Sequence, residues 1–174
     1  MLSVCAGPAE QAAQMIAASI QKGGKLMLCG NGGSAGDSQH LAAEFVATLD
    51  HTKPRPSLPA LSLTTDTSFL TAYANDFGFE GVFARQVEAL GQPGDVLLGI
   101  STSGNSKNVL AAAKAAKDNQ ISVIAFTGET GGQMADFADL LVAIPSRIIM
   151  HIQECHIALG HAITARVETL LSEK

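Results

Sequence analysis

The 174-residue chain contains few charged and few aromatic side chains: Asp, Glu, Lys and Arg together make up 16%, Phe, Tyr and Trp make up 5%, and Trp is absent. Its 11 Lys and Arg residues are outnumbered by 16 Asp and Glu residues, so we expect no nucleic-acid partner. No apolar run approaches the ~18 residues of a membrane-spanning helix, so no membrane partner is expected either. A charge content this low indicates that part of the surface is buried between subunits.

Cysteine is also scarce. Cys5, Cys29 and Cys155 form neither a CxxC pair nor the even framework of a disulfide-rich secreted domain. The first residues show no basic stretch followed by an apolar one, so we expect no export signal. These features predict a cytoplasmic protein with reduced thiols, and they disfavour secreted, membrane-embedded and DNA-coating proteins.

The chain alternates short apolar runs with longer stretches of helical periodicity. The apolar runs predict five strands, at residues 25–29, 60–64, 95–100, 121–126 and 140–144. The stretches around them predict helices, among them residues 8–21, 35–49, 81–90, 132–137 and 149–172. Strands that alternate with helices predict an α/β fold: a doubly wound, five-stranded parallel sheet with helices on both faces, in a single domain spanning residues 1–174.

Two polar loops follow the first and third predicted strands. The first reads Gly-Asn-Gly-Gly-Ser over residues 30–34, and the second reads Ser-Thr-Ser-Gly-Asn-Ser over residues 101–106. If the strand order is 2-1-3-4-5, these loops face each other where the strand order reverses, and such folds bind ligands there. Glycine lets backbone N–H groups approach an anion, and each loop opens a helix whose N-terminus favours negative charge. The pair therefore predicts a phosphate site that needs no Lys or Arg.

Two other interpretations of these loops stay open. Loops rich in Gly, Ser and Asn are commonly plain turns, although two of them after neighbouring strands favour a shared site. The spacing of Gly30, Gly32 and Ala35, with Asp66 as a ribose acceptor, also matches a loose dinucleotide fingerprint, but it leaves the second loop unexplained. Neither loop has the Gly-Lys-Ser/Thr ending of a Walker A motif.

Histidines occur in two helical segments. His40 and Glu44 are four residues apart on the helix that follows the first loop, so they share one face and can hold a proton path or a metal ion; a solvated helix face is the simpler alternative. On the last helix His151, His156 and His161 are five residues apart, about 140° around the axis, so all three cannot face one site. For His161, a buried structural role and a site role both stay open.

Four segments carry motifs that are specific as a set: residues 29–46, 74–78, 94–106 and 152–156. Together they resemble the sugar isomerase (SIS) domain family, over nearly the whole chain from about residue 11. The resemblance implies a flavodoxin-like fold and an aldose–ketose isomerase that acts on a phosphosugar. The implied reaction takes sedoheptulose 7-phosphate to D-glycero-D-manno-heptose 7-phosphate through an enediol, for cell-envelope heptose synthesis. A non-catalytic module that binds a phosphosugar or a partner protein, as in relatives among replication-initiation factors, is the alternative.

The resemblance also implies roles for individual residues. Glu44 would be the catalytic base and His161 its acid partner. The positions that match substrate-binding residues are Asn31, Gly32, Gly33, Ser34, Glu44, Asn75, Asp76, Ser101, Thr102, Ser103, Ser106 and Gln153. The departures from the family pattern are Thr48 and His151, each in place of an Arg, and Ile149 in place of a Thr. These departures weaken the choice of substrate most.

Zinc is the cofactor that the resemblance implies. The matching ligand positions are His40, Glu44, Gln153 and His161. Gln153 and His161 are eight residues apart, about 12 Å along a straight helix, so their convergence on one ion from a single helix is marginal. A symmetric oligomer would resolve this by mixing helices of different subunits. We therefore expect a site at a subunit interface, in a homotetramer.

Overall fold

The computed structural model describes residues 2–172, with side chains from Val4 onward. Its five parallel strands form one sheet in the order β2-β1-β3-β4-β5. The strands are β1 (Leu26–Gly30), β2 (Ala60–Ser62), β3 (Val96–Ile100), β4 (Ser122–Thr127) and β5 (Leu140–Ala143). The doubly wound parallel sheet predicted from the sequence is confirmed, with the order that places the first and third strands side by side.

The helices cover both faces of this sheet. They are α1 (Leu2–Gln21), α2 (Gly33–Val46), α3 (Thr67–Phe77), α4 (Ala84–Leu90), α5 (Lys107–Asp118) and α6 (Ile149–Ser172), with short 3₁₀-helices at Phe79–Gly81 and Gly132–Asp136. Helices α1, α2 and α6 pack on one face, and α4 and α5 pack on the other. Among the described helices, none has the length and apolar composition needed to cross a bilayer.

Each central strand divides its side chains between these two layers. Leu26 and Leu28 point to the α1, α2 and α6 layer, whereas Met27 and Cys29 point to the α4 and α5 layer. All four are buried, as expected for a parallel strand covered on both sides. Burial raises the pKa of the Cys29 thiol to about 12, so this thiol stays protonated and unreactive.

Three predicted helix ends are wrong. Helix α4 begins at Ala84 rather than near residue 81, after a separate 3₁₀-helix, and the other two deviations come from tertiary contacts. Helix α1 begins at Leu2 rather than near residue 8. Pro8 lies inside it and cannot donate a backbone hydrogen bond, and the burial of Cys5 in the core compensates for this loss of stability. Helix α2 stops at Val46 rather than near residue 49. The backbone N–H of Leu58 and the side chain of Arg55 bind the carbonyls of its last turn.

Candidate active site

The two polar loops lie side by side at the carboxyl edge of the sheet. Strand β1 pairs with β3 so that Gly30 is opposite Ile100, and both strands end at the same level. Asn31 in the first loop and Asn108 at the start of α5 form a reciprocal pair, in which each Nδ2 donates to the other residue's Oδ1 at 2.8 Å. The predicted meeting of the loops is therefore observed. Asn108, which the sequence analysis missed, is the residue that joins them.

The first loop brings backbone very close to the last helix. Gly32 has a φ of 57°, in the left-handed region that favours glycine. A Cβ on Gly33 would lie 2.6 Å from Nε2 of Gln153, so the Gln153 amide rests directly on the first turn of α2. Ser34 is buried in the same turn. The loop thus offers a helix N-terminus that faces polar groups, which is the arrangement that favours an anion.

The second loop gathers hydroxyl groups at the start of α5. Ser101 Oγ donates to Ser106 Oγ at 2.9 Å, and the backbone N–H of Asn105 donates to Ser103 Oγ at 3.1 Å. Gly104 has a φ of 67°, and a Cβ there would collide with the carbonyl of Gly131. Glycine is therefore required at this position by both conformation and space.

A cavity of about 360 Å³ opens beside the second loop. Thr102 and Ser103 form one wall, and Arg147 and Ile149, before and at the start of α6, form another. The Arg147 guanidinium pairs with Glu129, which also lines the cavity. The loops predict a phosphate site that needs no Lys or Arg, and the structure adds this guanidinium to the wall of the cavity beside the second loop.

Helices α2 and α6 bring two histidines and a carboxylate together. His40 Nε2 lies 2.8 Å from His161 Nε2 and 3.5 Å from Glu44 Oε1. Two ring nitrogens this close require one to donate an N–H to the lone pair of the other, so at least one ring has an unprotonated Nε2. The ligand atoms of all three residues lie within 4.8 Å of one another. The chain therefore assembles the predicted base, its acid partner and His40 without help from a second subunit.

Two buried carboxylate oxygens beside these histidines have no hydrogen-bond partner within the described part of the chain: Oε2 of Glu44 and Oδ2 of Asp37. Burial raises the pKa of the Asp37 carboxyl, and positive charge on the neighbouring imidazoles of His40 and His161 opposes this rise when it is present. Asp37 was not predicted from the sequence. Its position one turn before His40 on α2 is the signal that would have found it.

The donor set matches the chemistry of a zinc site. Two imidazole nitrogens and a carboxylate converge from two packed helices, and Glu44 Oε2 is a buried acceptor without a donor. Gln153, the fourth predicted ligand, lies instead on Gly33 at the first turn of α2. His161 follows it by eight residues, about 12 Å along α6. Within one chain, three of the four predicted ligands are together.

The three histidines of α6 have three different environments, as their spacing predicts. His151 is exposed. His156 is completely buried, and its Nε2 donates to the carbonyl oxygen of Thr127 at 3.1 Å. Burial lowers the pKa of His156 to about 4, so its ring is neutral. The structural role that was left open for His161 belongs to His156, and His161 lies in the candidate site.

Three other predicted positions lie away from this cluster. Asn75 and Asp76, near the end of α3, are exposed, and Asn75 Nδ2 donates to Asp76 Oδ1 at 2.8 Å. In the described part of the chain neither has a hydrogen bond to the other candidate residues. Asp66 caps α3 by accepting the backbone N–H of Phe69 at 2.9 Å. This use of its carboxylate disfavours the dinucleotide interpretation.

Comparisons with known proteins agree with this geometry. The family model that describes the SIS domain matches residues 5–128. The chain is 51% identical to the phosphoheptose isomerase of Roseiflexus sp. (strain RS-1) over 162 residues, 93% of this chain and 81% of that one. It is also 51% identical to the phosphoheptose isomerase of Rhodospirillum rubrum over 170 residues, 98% of this chain and 89% of that one.

A solved structure has the same fold. The phosphoheptose isomerase from Neisseria gonorrhoeae superposes with a TM-score of 0.90 at 46% identity, covering 96% of this chain and 88% of that one. These relatives confirm both the family and the enzyme class that the motifs implied, an aldose–ketose isomerase. The chain belongs to the SIS domain family.

Proposed function

We propose that this chain, as a single domain over residues 1–174, interconverts sedoheptulose 7-phosphate and D-glycero-D-manno-heptose 7-phosphate. The observation that carries the proposal is the arrangement along α2. This helix begins in the first polar loop, which is suited to bind an anion, and it carries Glu44 in its last turn, where Glu44 lies beside His161. About half of the residues are identical to those of proteins named phosphoheptose isomerase.

The two loops hold the phosphate in this proposal. Helix α2 begins at Gly33 within the first loop and α5 begins at Lys107 directly after the second, so each N-terminus favours a negative charge at its loop. The hydroxyl groups that donate to the phosphate oxygens are those of Ser34, Ser101, Thr102, Ser103 and Ser106. Arg147 adds a positive charge at the cavity wall, where its guanidinium can exchange Glu129 for the substrate.

Glu44 and His161 move the protons. Isomerisation of a 2-ketose requires a base to remove a proton from C1, so that the electron pair forms the C1=C2 bond of an enediol while the oxygen on C2 is protonated. Return of the proton to C2 and loss of the proton on the C1 oxygen give the aldose. Glu44 transfers the proton from C1 to C2, and His161 donates a proton to the oxygen on C2 and accepts one from the oxygen on C1. The Glu44 side chain is only 20% exposed, so it is largely shielded from water.

Zinc is the cofactor that we propose for this site. His40, Glu44 and His161 would hold it, and Gln153 is the fourth ligand that the family resemblance implies. When bound, a zinc ion stabilises negative charge that develops on a substrate oxygen. His40 contacts both Glu44 and His161, so in the metal-free chain its ring orients these two side chains.

A homotetramer would complete the site. Asn75, Asp76 and Gln153 are not joined to the histidine cluster within one chain, and residues of a neighbouring subunit can supply what is missing. Large apolar side chains are exposed near these positions, including Phe77 at 75% and Ile149 at 62%. Such surface supports burial between subunits. The enzyme would act in the cytoplasm, in heptose synthesis for lipopolysaccharide.

The test is turnover of sedoheptulose 7-phosphate by the purified protein in D₂O, followed by NMR. We expect the aldose as product, with deuterium on C2 in the turnovers in which the proton on Glu44 exchanges with solvent before it returns. Glu44→Gln removes the base but keeps the shape of the side chain, and should lower kcat by about 10²- to 10⁴-fold. Equal turnover by this variant would refute the role of Glu44. Binding without turnover or exchange by the wild type would instead indicate a non-catalytic module.

A further inference from the structure

Helices α2 and α6 run in the same direction with a constant register. Gly33 contacts Gln153, Leu41 contacts Gly160, and His40 contacts His161. A Cβ on Gly160 would lie 2.7 Å from the Leu41 side chain, so the two helices touch closely at the level of the histidines. The seam between them is thus fixed at its start and at its middle, where the catalytic cluster lies.

The far end of this seam depends on a residue from the loop after α2. Arg55 Nη2 donates to the backbone carbonyl of Glu44 at 2.7 Å, and its Nη1 donates to the carbonyls of Phe45 and Pro56 at 2.9 Å. The carbonyls of Glu44 and Phe45 belong to the last turn of α2, which has no partners for them within the helix, whereas that of Pro56 lies in the loop. A cation at this position also interacts favourably with the helix dipole.

The same guanidinium binds α6. Arg55 Nε donates to Glu168 Oε1 at 2.7 Å, and the backbone N–H of Leu49 donates to the same oxygen at 3.2 Å. Both side chains are mostly buried, 14% exposed for Arg55 and 17% for Glu168. Glu168 lies seven residues, two helical turns, after His161, so the two share one face of α6. One side chain therefore joins the backbone of Glu44 to the helix that carries His161.

We propose that Arg55 and Glu168 are positioning residues, which hold Glu44 and His40 on α2 in register with His161 on α6. The inference deepens the function proposed above and rests on it for the identity of the reaction. The planar fork of Arg55 serves both helices at once, and a lysine cannot reproduce that geometry. Without it, the backbone carbonyl of Glu44 loses its side-chain donor and that of Phe45 keeps only the N–H of Leu58. Small displacements of catalytic groups have large effects on rate.

A merely structural ion pair would behave differently, and the chain offers a matched control. Arg166 on α6 pairs with Glu10 on α1 through both carboxylate oxygens, at 2.9 to 3.2 Å. This pair joins α6 to α1, and Gln14, also on α1, donates to the same Glu10 carboxylate. Glu168→Gln and Glu10→Gln are therefore the same chemical change on two tethers of one helix, of which only the first reaches the site.

The experiment compares Arg55→Met, Arg55→Lys, Glu168→Gln and Glu10→Gln with the wild type. Calorimetric titration of metal-free protein with Zn²⁺ should show affinity about 10- to 100-fold weaker for Arg55→Met and less weakened for Arg55→Lys. With sedoheptulose 7-phosphate, kcat should fall about tenfold or more while KM changes less than about twofold. Glu168→Gln should follow Arg55→Met in direction. Glu10→Gln should keep wild-type zinc affinity and kcat, whatever its Tm.

A third measurement needs neither metal nor activity. The ring-nitrogen NMR shifts of His161 in metal-free protein report its contact with His40, and they should change in Arg55→Met and Glu168→Gln but not in Glu10→Gln. Unchanged shifts, zinc affinity and kcat in the first two variants would overturn the proposal, even if their Tm fell. If Arg55→Met does not fold, Glu168→Gln and Arg55→Lys decide the outcome. A wild type without isomerase activity would refute the proposed reaction and leave the NMR test standing.

Discussion

Buried His156 predicts that the fold loses stability in mild acid. Its ring packs against Phe126 with a centroid distance of 5.3 Å, and its Nε2–H is held by the Thr127 carbonyl. Its Nδ1 is buried and has no partner within the described residues, so a proton added there would find no acceptor. Burial accordingly lowers the pKa of His156 from 6.5 to about 4 in the folded chain.

The direction and size of the effect follow from proton linkage. Between pH 6.5 and about 4, the unfolded chain binds a proton at His156 that the folded chain does not. The free energy of unfolding therefore falls as the pH falls through this window, and His156 has no further effect above it. At ~1.4 kcal/mol for each pH unit of the gap, the loss is about 3 kcal/mol by pH 4. That is a large fraction of the ~5–15 kcal/mol that stabilises a typical domain.

The assay is urea unfolding of the wild type and His156→Gln at intervals from pH 7.5 to pH 4. Carboxylates titrate in both proteins, so the difference between the two curves isolates His156. We expect the variant to be less stable at pH 7 by about 1–3 kcal/mol, because a buried hydrogen bond is disturbed. Toward pH 4 the wild type should lose about 3 kcal/mol more than the variant, so the difference in stability should shrink to zero or change sign. A difference that stays constant over the whole range would refute the burial argument.

Two further predictions concern the loops. Gly104→Ala should destabilise the protein by about 1–3 kcal/mol, because Ala is strained at a φ of 67° and its Cβ collides with Gly131, and a thermal melt measures this. Asn108→Ala removes the reciprocal hydrogen bonds to Asn31 and should raise KM for the sugar phosphate several-fold more than it lowers kcat. Steady-state kinetics measure both constants, and a change confined to kcat would contradict this prediction.

The positions of the strands could be predicted because the central strands of a covered parallel sheet are continuous apolar runs that end at glycine or polar residues. Their order entered the interpretation of the loops only as a condition. The end of α2 could not be predicted. Nothing in its local periodicity stops the helix at Val46, and its last carbonyls are bound by Arg55 and Leu58 from the loop that follows. Long-range hydrogen bonds of this kind leave no periodic signal in the sequence.

The candidate site shows the same division. The spacing of the histidines on α6 established that all three could not share one site. The burial of His156 in the structure shows that it is structural, and the distance between the rings shows that His161 contacts His40. The pairing of α2 with α6 depends on the contact of Leu41 with Gly160, whose glycine looks like any other in the sequence. Motifs thus identified the chemistry of the groups, and packing decided which groups meet.

The length of α2 connects the two halves of the proposed function. Ser34 lies in its first turn and Glu44 in its last, about 15 Å apart along the axis. Both side chains lean toward the N-terminus, and the longer Glu44 side chain reaches further in that direction, which reduces this distance. A phosphate held at the loops therefore lies well away from a carbon held at Glu44. A linear sugar with its phosphate and its carbonyl at opposite ends fits such a separation better than a sugar with adjacent phosphate and carbonyl. The spacing within one helix thus favours a phosphosugar whose phosphate is remote from its carbonyl.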